Sequence, residues 1–241
     1  MRYFLVLGFV VSLAGCSGFS NANESDNPLF NLGVEEIFEN EGVRSLAKAA
    51  ARNDIKKVQE LINSGVAVNS VGVGNFTPLY WALKKGSKEG FKMLLENGAN
   101  PNLLWKDGGS VIHYSAAMDD LDFLSLCLRY NGDAELSDGV EGKTPIFYAV
   151  EEKRVKNIEL LLARGANINA LDSSQSTPLV FAAMLNQYDM VHYLLQAGGD
   201  PAIKNRWGKG LNYLLEKSSR TMDRSSSLWA WREKVIDLLS E

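Results

Sequence analysis

Cysteine and histidine are scarce in this chain of 241 residues, which has two of each. That supply is too small to predict a zinc finger or a metal site built from cysteine and histidine alone. Neither sign of charge dominates, because 25 Lys and Arg residues stand against 29 Asp and Glu residues. A general electrostatic attraction to nucleic acid is therefore not expected. Hydrophobic residues make up 46% of the chain, which excludes disorder as its main state. We expect a folded protein with no nucleic-acid partner, no metal and no cofactor.

An apolar run long enough to cross a membrane is also missing at the N-terminus. Residues 3–14 are apolar except for Gly8 and Ser12, and they follow the single positive charge of Arg2. A membrane span needs about 20 apolar residues, whereas the apolar region of a secretory signal peptide has roughly 7–15. Residues 1–15 are therefore predicted to be a signal peptide.

The residues that end this run carry a further signal. Leu13-Ala14-Gly15-Cys16 resembles the lipobox of bacterial lipoproteins, which implies cleavage before Cys16 and acylation of its thiol and amine. Two or more acyl chains would anchor the mature chain, residues 16–241, stably to a membrane. Ser17 is not the Asp that usually retains such proteins at the inner membrane, so the resemblance implies an outer-membrane anchor facing the periplasm. The alternative is an ordinary signal peptide followed by an incidental cysteine.

The rest of the chain is organised by a repeat of about 33 residues. Thr77-Pro78-Leu79, Ser110-Val111-Ile112, Thr144-Pro145-Ile146 and Thr177-Pro178-Leu179 begin successive units at spacings of 33, 34 and 33 residues. Each unit continues with an apolar anchor 14 residues after its first residue, then an apolar pair and a glycine. The anchors are Phe91, Leu124, Ile158 and Val191, and the glycines are Gly98, Gly132, Gly165 and Gly198.

Each recurring residue has a physical reason. A Thr or Ser hydroxyl accepts a hydrogen bond from an unpaired backbone N–H at a helix start, and Pro suits the first helical position. The anchor and the apolar pair lie at helical spacing and form a buried face. Glycine permits the left-handed turn that ends a helix. Each unit therefore predicts two helices and a connecting loop.

This pattern resembles the ankyrin repeat, which implies an all-α solenoid of about five to six repeats. The predicted domain spans residues 43–241, with repeats at about 43–70, 71–103, 104–137, 138–170 and 171–203 and a degenerate C-terminal cap at 204–241. Residues 16–42 would comprise the lipidated cysteine, a flexible tether and a possible short capping helix. The third unit departs from the pattern, because it lacks Thr-Pro and has an extra residue that we place near Asn131. We expect local unfolding to begin there.

Reactive groups in a catalytic arrangement are not found. His113 and His192 fall at unlike positions of the repeat, and Cys127 lies in an apolar helical run that predicts burial. No Gly-x-Ser-x-Gly motif or phosphate-binding glycine loop is present. We therefore predict no catalytic residue and no enzymatic activity.

The resemblance implies a concave surface, formed by the hairpin loops and the inner helices, where ankyrin stacks bind other proteins. Matching that surface to this sequence gives the following candidate partner-binding residues: Phe76, Lys84, Trp105, Lys106, Met118, Val140, Glu141, Glu151, Leu185, Arg206 and Trp207. The three aromatic residues of this set either contact a partner or pack adjacent hairpins against each other.

These observations favour a non-catalytic protein-binding module tethered in the periplasm. Bacterial lipoproteins with ankyrin-like repeats are often paired with secreted toxic effectors such as phospholipases, so the resemblance implies an immunity protein as the sharpest hypothesis. An envelope scaffold that stabilises a housekeeping protein is the alternative. A hydrolase is less favoured, because no residue pattern supports it.

Overall fold

A computed structural model describes residues 28–240 of the chain. These residues form helices and loops and contain no strand. The all-α solenoid expected from the repeat is confirmed. The α-helices are, in chain order, α1 Val34–Ile37, α2 Glu41–Ala51, α3 Ile55–Asn63, α4 Pro78–Lys84, α5 Lys88–Glu96, α6 Val111–Ala117, α7 Leu121–Arg129, α8 Pro145–Glu151, α9 Val155–Ala163, α10 Pro178–Met184, α11 Tyr188–Gln196, α12 Leu211–Ser218 and α13 Ser227–Ser240.

Helices α2 to α13 pair into six repeats, each with an inner helix followed by an outer helix. One apolar residue of each inner helix is fully buried, and one of each outer helix is buried beside it. The inner set is Leu46, Leu79, Ile112, Ile146, Leu179 and Leu211, and the outer set is Val58, Phe91, Leu124, Ile158, Val191 and Val235, all 0% exposed. This double row is the shared core that holds the stack together.

The inner helices begin as the sequence predicts in two repeats out of the four with a Thr or Ser signal. Thr77 and Thr177 accept hydrogen bonds from the backbone N–H groups of Tyr80 and Val180, at 3.3 and 3.2 Å. Thr144 makes no such bond. The Ser110 hydroxyl instead forms a hydrogen bond with Nδ1 of His113 at 2.8 Å. The third inner helix therefore starts without a side-chain cap.

Two details of the third and fourth repeats correct the sequence analysis. Gly132 was expected to end the third outer helix in a left-handed turn, but Asn131 adopts that conformation, with φ 62°. An asparagine can occupy this region because its short polar side chain tolerates positive φ. The extra residue is not near Asn131. It lies in the hairpin loop of residues 138–143, one residue longer than its counterpart of residues 105–109.

A segment before the first repeat lies against the stack. It comprises a 3-10 turn, Pro28–Asn31, and helix α1. Glu35 forms an ion pair with Lys48 of α2 at 2.6 Å. The backbone of Ile37 approaches Gly72 so closely that a Cβ there would lie 2.2 Å from the Ile37 carbonyl oxygen. Glycine is therefore required at position 72 for the segment to lie where it does.

The last repeat closes the stack through a buried arginine. Arg232 of α13 is 7% exposed and donates from Nη2 to the Leu215 carbonyl of α12 at 2.9 Å. The Ser218 hydroxyl and the Ser219 backbone N–H donate to the same carbonyl, so Arg232 ties α13 to the C-terminal end of α12. Among residues 28–240, no helix has both the length and the apolar character that a membrane crossing requires.

Candidate protein-binding surface

Five hairpin loops project from the stack, and a backbone hydrogen bond closes each of them. We call them fingers 2 to 6, after the repeats whose inner helices follow them: residues 72–76, 105–109, 138–143, 172–176 and 205–209. The closing bonds join the first residue's N–H to the last residue's carbonyl and measure 2.7–3.1 Å. Fingers of fixed shape present their side chains in fixed directions.

An acidic or amide side chain at the first position shapes three of these fingers. Asp138 is 7% exposed, and its Oδ1 accepts from the backbone N–H groups of Val140, Glu141 and Gly142 at 2.7–3.1 Å. Its Oδ2 accepts from the Tyr148 hydroxyl at 3.0 Å. Asp172 and Asn205 accept pairs of backbone N–H groups in their own fingers in the same manner. The sequence analysis missed this role, although an Asx residue at the start of a hairpin is its usual signal.

Successive fingers are also bonded to one another. Backbone N–H groups of Lys106, Gly139, Ser173 and Arg206 donate to carbonyl groups in the preceding finger, at 3.0, 2.9, 2.7 and 2.9 Å. The fingers therefore form one continuous row rather than five independent loops. A partner that contacts this row meets a surface that is already ordered, which lowers the entropy cost of binding.

The predicted partner-binding residues divide into three groups by exposure. The exposed members are Lys106, Val140, Glu141, Leu185, Arg206 and Trp207, and the half-buried members are Lys84, Met118 and Glu151. Phe76 and Trp105 are buried, at 0% and 5% exposure. Burial removes these two from the accessible surface. Their rings instead pack between fingers 2 and 3, with centroids 5.3 Å apart.

The charges on this surface change sign along the row. Finger 4 and the end of α8 carry Glu141, Glu151 and Glu152, and finger 6 carries Arg206 and Lys209. Burial raises the pKa of Glu151 to about 7, Lys143 opposes the rise, and Glu152 and Glu141 add to it. Lys143 itself is held by Glu141 at 2.6 Å. The negative charges of Glu141 and Glu152 therefore disfavour the ionisation of Glu151 near neutral pH.

The exposed aromatic residue of finger 6 has cations beside it. Trp207 is 60% exposed, and the Arg206 guanidinium lies 5.7 Å from its ring. Lys209 lies 5.4 Å from the ring of Tyr213 on α12, which is 44% exposed. Aromatic residues and arginines are the side chains that most often dominate binding energy at protein interfaces.

The groups that would support catalysis are held in structural roles. His113 is fully buried and contacts the carbonyl groups of Leu136 and Lys143 through Nε2, at 2.9 and 3.2 Å. Burial raises the pKa of the Cys127 thiol to about 12, so this cysteine is not a reactive thiolate. Within residues 28–240, no group of three His, Cys, Asp or Glu residues is placed to hold a metal ion. Cys16 lies outside the described residues.

Comparison with known proteins identifies the family. Residues 19–104 and 112–205 match the family described as ankyrin repeats, so the chain belongs to the ankyrin-repeat family.

The relatives differ in what the match covers. Palmitoyltransferase ZDHHC13 of Homo sapiens is 26% identical over 210 residues, 80% of this chain and 34% of that protein. Palmitoyltransferase AKR1 of Lachancea kluyveri is 30% identical over 73% of this chain and 26% of its own. The chain thus spans a quarter to a third of these enzymes, in their ankyrin regions only. Protein PhlB of Serratia liquefaciens is 31% identical over 59% of this chain and 63% of its own.

Proposed function

We propose that this chain is a non-catalytic binding module that holds another protein on the concave surface of repeats 4 to 6. The observation that carries the proposal is a set of large apolar side chains left exposed on or next to the fingers and at the ends of the inner helices there. They are Val140 at 65%, Leu171 at 51%, Met184 at 50%, Leu185 at 37% and Trp207 at 60% exposure. Exposed apolar patches rimmed by charge are typical of protein-binding surfaces.

The charge pattern supports a protein partner with a defined orientation. Glu141 on finger 4 and Arg206 on finger 6 lie at opposite ends of the exposed apolar set. A partner with a basic group facing the first and an acidic group facing the second would dock in one direction only. Such pairs at the rim of an interface set orientation and association rate more than affinity.

The proposal includes a location in the cell envelope. The support is in the sequence: the charged start, the short apolar run and Cys16 occur in the order that a lipoprotein signal requires. An outer-membrane anchor facing the periplasm would hold the binding surface near the membrane and raise its effective concentration for partners that arrive there. Changing Cys16→Ser and measuring whether the protein leaves the membrane fraction tests this location.

We further propose that the partner is a toxic effector, such as a phospholipase, and that binding inhibits it. The support is the association of bacterial lipoproteins of this type with contact-delivered toxins, together with a binding surface that carries no catalytic arrangement. A scaffold for a housekeeping protein is the competing proposal. It predicts a growth defect on gene deletion without any toxin, whereas an immunity protein predicts a defect only when toxin is delivered.

The binding surface can be tested with one pair of variants of the full chain. Trp207→Ala removes the exposed aromatic residue of finger 6, and Leu228→Ala removes an apolar residue of α13 that is 38% exposed and lies outside the fingers. Partners are captured by cross-linking in cells, identified, purified and titrated against each variant. We expect Trp207→Ala to weaken binding by about tenfold or more and Leu228→Ala to leave it unchanged. Equal binding by both variants would exclude this surface.

Toxin delivery provides the second test. Cells that lack the gene are exposed to strains that deliver effectors, including phospholipases, and survival is compared with that of cells complemented with the wild type or with Trp207→Ala. The immunity proposal expects rescue by the wild type and reduced rescue by Trp207→Ala. Full resistance of the deletion strain to the effector that binds the purified chain would contradict inhibition while leaving binding intact.

A further inference from the structure

The concave surface of repeats 2 and 3 is already occupied by a side chain of the same molecule. Phe30, which precedes the repeats, is 9% exposed. Its ring centroid lies 5.4 Å from Phe76, 5.7 Å from Trp105, 6.1 Å from Tyr80 and 6.1 Å from Tyr114. The first two of these rings belong to fingers 2 and 3, and the other two to the inner helices α4 and α6. Phe30 therefore lies where fingers and inner helices meet, which is where ankyrin stacks hold their partners.

The four surrounding rings, which we call the aromatic pocket, also contact each other. Phe76 stacks on Tyr80 at 4.1 Å, and Trp105 lies edge-on to Tyr80 at 4.9 Å. Trp105 also lies 5.9 Å from Tyr114. Most of these distances between pocket rings are shorter than the distances from the pocket rings to the Phe30 ring. The walls of the pocket hold one another in place, so the pocket keeps its shape when Phe30 leaves.

Few polar interactions fix the segment that carries Phe30, although its later residues Val34, Ile37 and Phe38 are buried against the core. The Lys84 ammonium group donates to the Phe30 carbonyl, and Arg44 donates to the Phe38 carbonyl at 3.3 Å. The ion pair between Glu35 and Lys48 has side chains that are 62% and 37% exposed, so it adds little. Helix α1 has four residues, too few to be stable alone. In the turn Pro28–Asn31, Phe30 is the buried side chain, so this turn can open locally while α1 and the rest of the fold persist.

A polar group of the Trp105 ring is left unsatisfied by this arrangement. The indole N–H of Trp105 is buried and forms no hydrogen bond with any residue that the structure describes. A buried donor without an acceptor is costly. A ligand that places both an aromatic ring and a carbonyl or hydroxyl oxygen in the pocket would satisfy this donor, which residues 28–38 do not.

We propose that the aromatic pocket is a second partner-binding site, that residues 28–38 occupy it as an intramolecular substitute, and that the natural ligand is an extended peptide segment of a protein partner with one aromatic side chain. The partner's ring replaces that of Phe30, and a backbone carbonyl next to it accepts from Lys84. Only the assumption that the ligand is a protein rests on the proposed function. The pocket lies in repeats 2 and 3, outside the surface that Trp207→Ala tests.

The test uses a fluorescent peptide with the sequence of residues 28–38 and the full chain. Phe30→Ala in the chain empties the pocket, whereas Phe91→Ala removes a comparable buried ring of the outer helices, 5.1 Å from Phe123. We expect the Phe30→Ala chain to bind the peptide about tenfold or more tighter than the wild type does, because the intramolecular competitor is weakened. The Phe91→Ala chain should show no gain. The same peptide carrying Phe30→Ala should bind neither chain, and Lys84→Met added to the Phe30→Ala chain should weaken binding severalfold.

Hydrogen exchange of the wild-type chain covers the case in which Phe30→Ala fails to fold. We expect residues 28–38 to exchange faster than α4 and α6, and to exchange faster still when excess peptide is added. Exchange of residues 28–38 only together with the whole domain would overturn the proposal. Absence of peptide binding by a folded Phe30→Ala chain would overturn it equally, and Phe30 would then be a permanent part of the core. Neither experiment requires a protein partner. The test of the aromatic pocket can therefore fail or succeed independently of the test of the proposed function with Trp207→Ala.

Discussion

The side-chain amide of Asn157 donates to the main-chain carbonyl of Ala116 at 2.8 Å. The same nitrogen lies 2.8 Å from the carbonyl of Met118. Asn157 is on the outer helix of repeat 4 and is 2% exposed, whereas both acceptors are at the end of the inner helix of repeat 3. One side chain therefore satisfies two carbonyl groups that the helix end leaves without partners.

A bond of this kind recurs between repeats 5 and 4, where Gln187 donates to the Glu151 carbonyl at 2.8 Å. A second bond joins repeats 4 and 3, where Arg154 donates to the Ala117 carbonyl at 3.0 Å. Between repeats 2 and 3, Lys88 forms an ion pair with Asp120 at 2.8 Å. An exposed ion pair contributes less than a buried hydrogen bond to an otherwise unpaired carbonyl.

The first prediction concerns the buried amide. Asn157→Ala leaves the carbonyl groups of Ala116 and Met118 buried without a donor, and we expect the free energy of unfolding to fall by about 2–3 kcal/mol. Urea denaturation followed by circular dichroism measures the change. Lys156→Ala is the matched control, because Lys156 is exposed on the same helix and should change stability by less than about 0.5 kcal/mol. Equal effects of the two variants would contradict the assignment.

The second prediction concerns Glu151 and pH. Because burial raises its pKa to about 7 from 4.5, the folded state binds a proton that the unfolded state releases between these values. Stability from this group is fully present below pH 4.5 and is lost as pH rises through 7. Glutamine has no charge to bury, so Glu151→Gln removes this loss. The free energy of unfolding of the variant, relative to that of the wild type, should therefore rise by up to about 3 kcal/mol between pH 4.5 and pH 8. Denaturation at several pH values measures the difference.

A neighbouring carboxylate provides a comparison for that experiment. Glu141→Gln changes an exposed group that is paired with Lys143 on the finger rather than buried at the end of α8. Because Glu141 adds to the rise in the Glu151 pKa, Glu141→Gln should reduce the pH dependence of stability only in part, whereas Glu151→Gln should remove it. A stability difference between Glu151→Gln and the wild type that does not change with pH would show that Glu151 is ionised normally in the folded state.

The third prediction concerns the C-terminal end of the stack. Arg232→Met keeps an unbranched apolar side chain but removes the guanidinium bonds to the Leu215 carbonyl and the Ser218 hydroxyl. Because that carbonyl keeps its bonds from Ser218 and Ser219, we expect the free energy of unfolding to fall by about 1.5 kcal/mol. Hydrogen exchange should accelerate in α12 and α13 before the rest of the chain. Arg220→Met serves as control, because Arg220 is 73% exposed in its pair with Glu216 and should contribute at most about 1 kcal/mol. Uniform acceleration across all repeats would contradict a local role.

The core was predictable from the sequence because it repeats. An apolar residue recurs at the positions of Leu79 and Phe91 in every unit, and this period is visible without knowledge of the fold. The burial of Phe76 and Trp105 was not predictable in this way. A finger residue is exposed or buried according to what lies opposite it, and here the opposite face is Phe30, which belongs to no repeat.

The shape of the fingers was predictable only in part. Asp138 carries a turn signal in the sequence, but its bond to Tyr148 joins a loop to a helix and depends on how they meet in space. Exposure of Val140 and Trp207 followed from their places at the finger tips. The charged residues that surround Val140 and Trp207 could be identified only from the structure.

The last prediction concerns His113, where the third repeat was expected to be weakest. Burial lowers the pKa of His113, although the Leu136 and Lys143 carbonyl groups and the charges of Asp138 and Asp133 favour its protonated form. Two carbonyl groups accept from Nε2, so Nε2 carries the proton and Nδ1 accepts from the Ser110 hydroxyl. In the unfolded chain the His113 ring takes up a proton near pH 6.5, whereas in the folded chain it resists protonation. The contribution of neutral His113 to the free energy of unfolding is therefore present above pH 6.5 and is lost as the pH falls below that value.

Glu151 titrates with the opposite sign in the same range, so this effect is best measured in a Glu151→Gln background. There we expect stability to fall between pH 7.5 and pH 5.5, and the added change His113→Asn to flatten that slope while lowering stability at pH 7.5. Hydrogen exchange at both pH values should show α6 opening earlier at the lower pH. If the slope persists in the double variant, another group supplies it. If α6 is then among the last helices to exchange, the third repeat is not the weak point of the stack, and the histidine network offsets its missing helix cap.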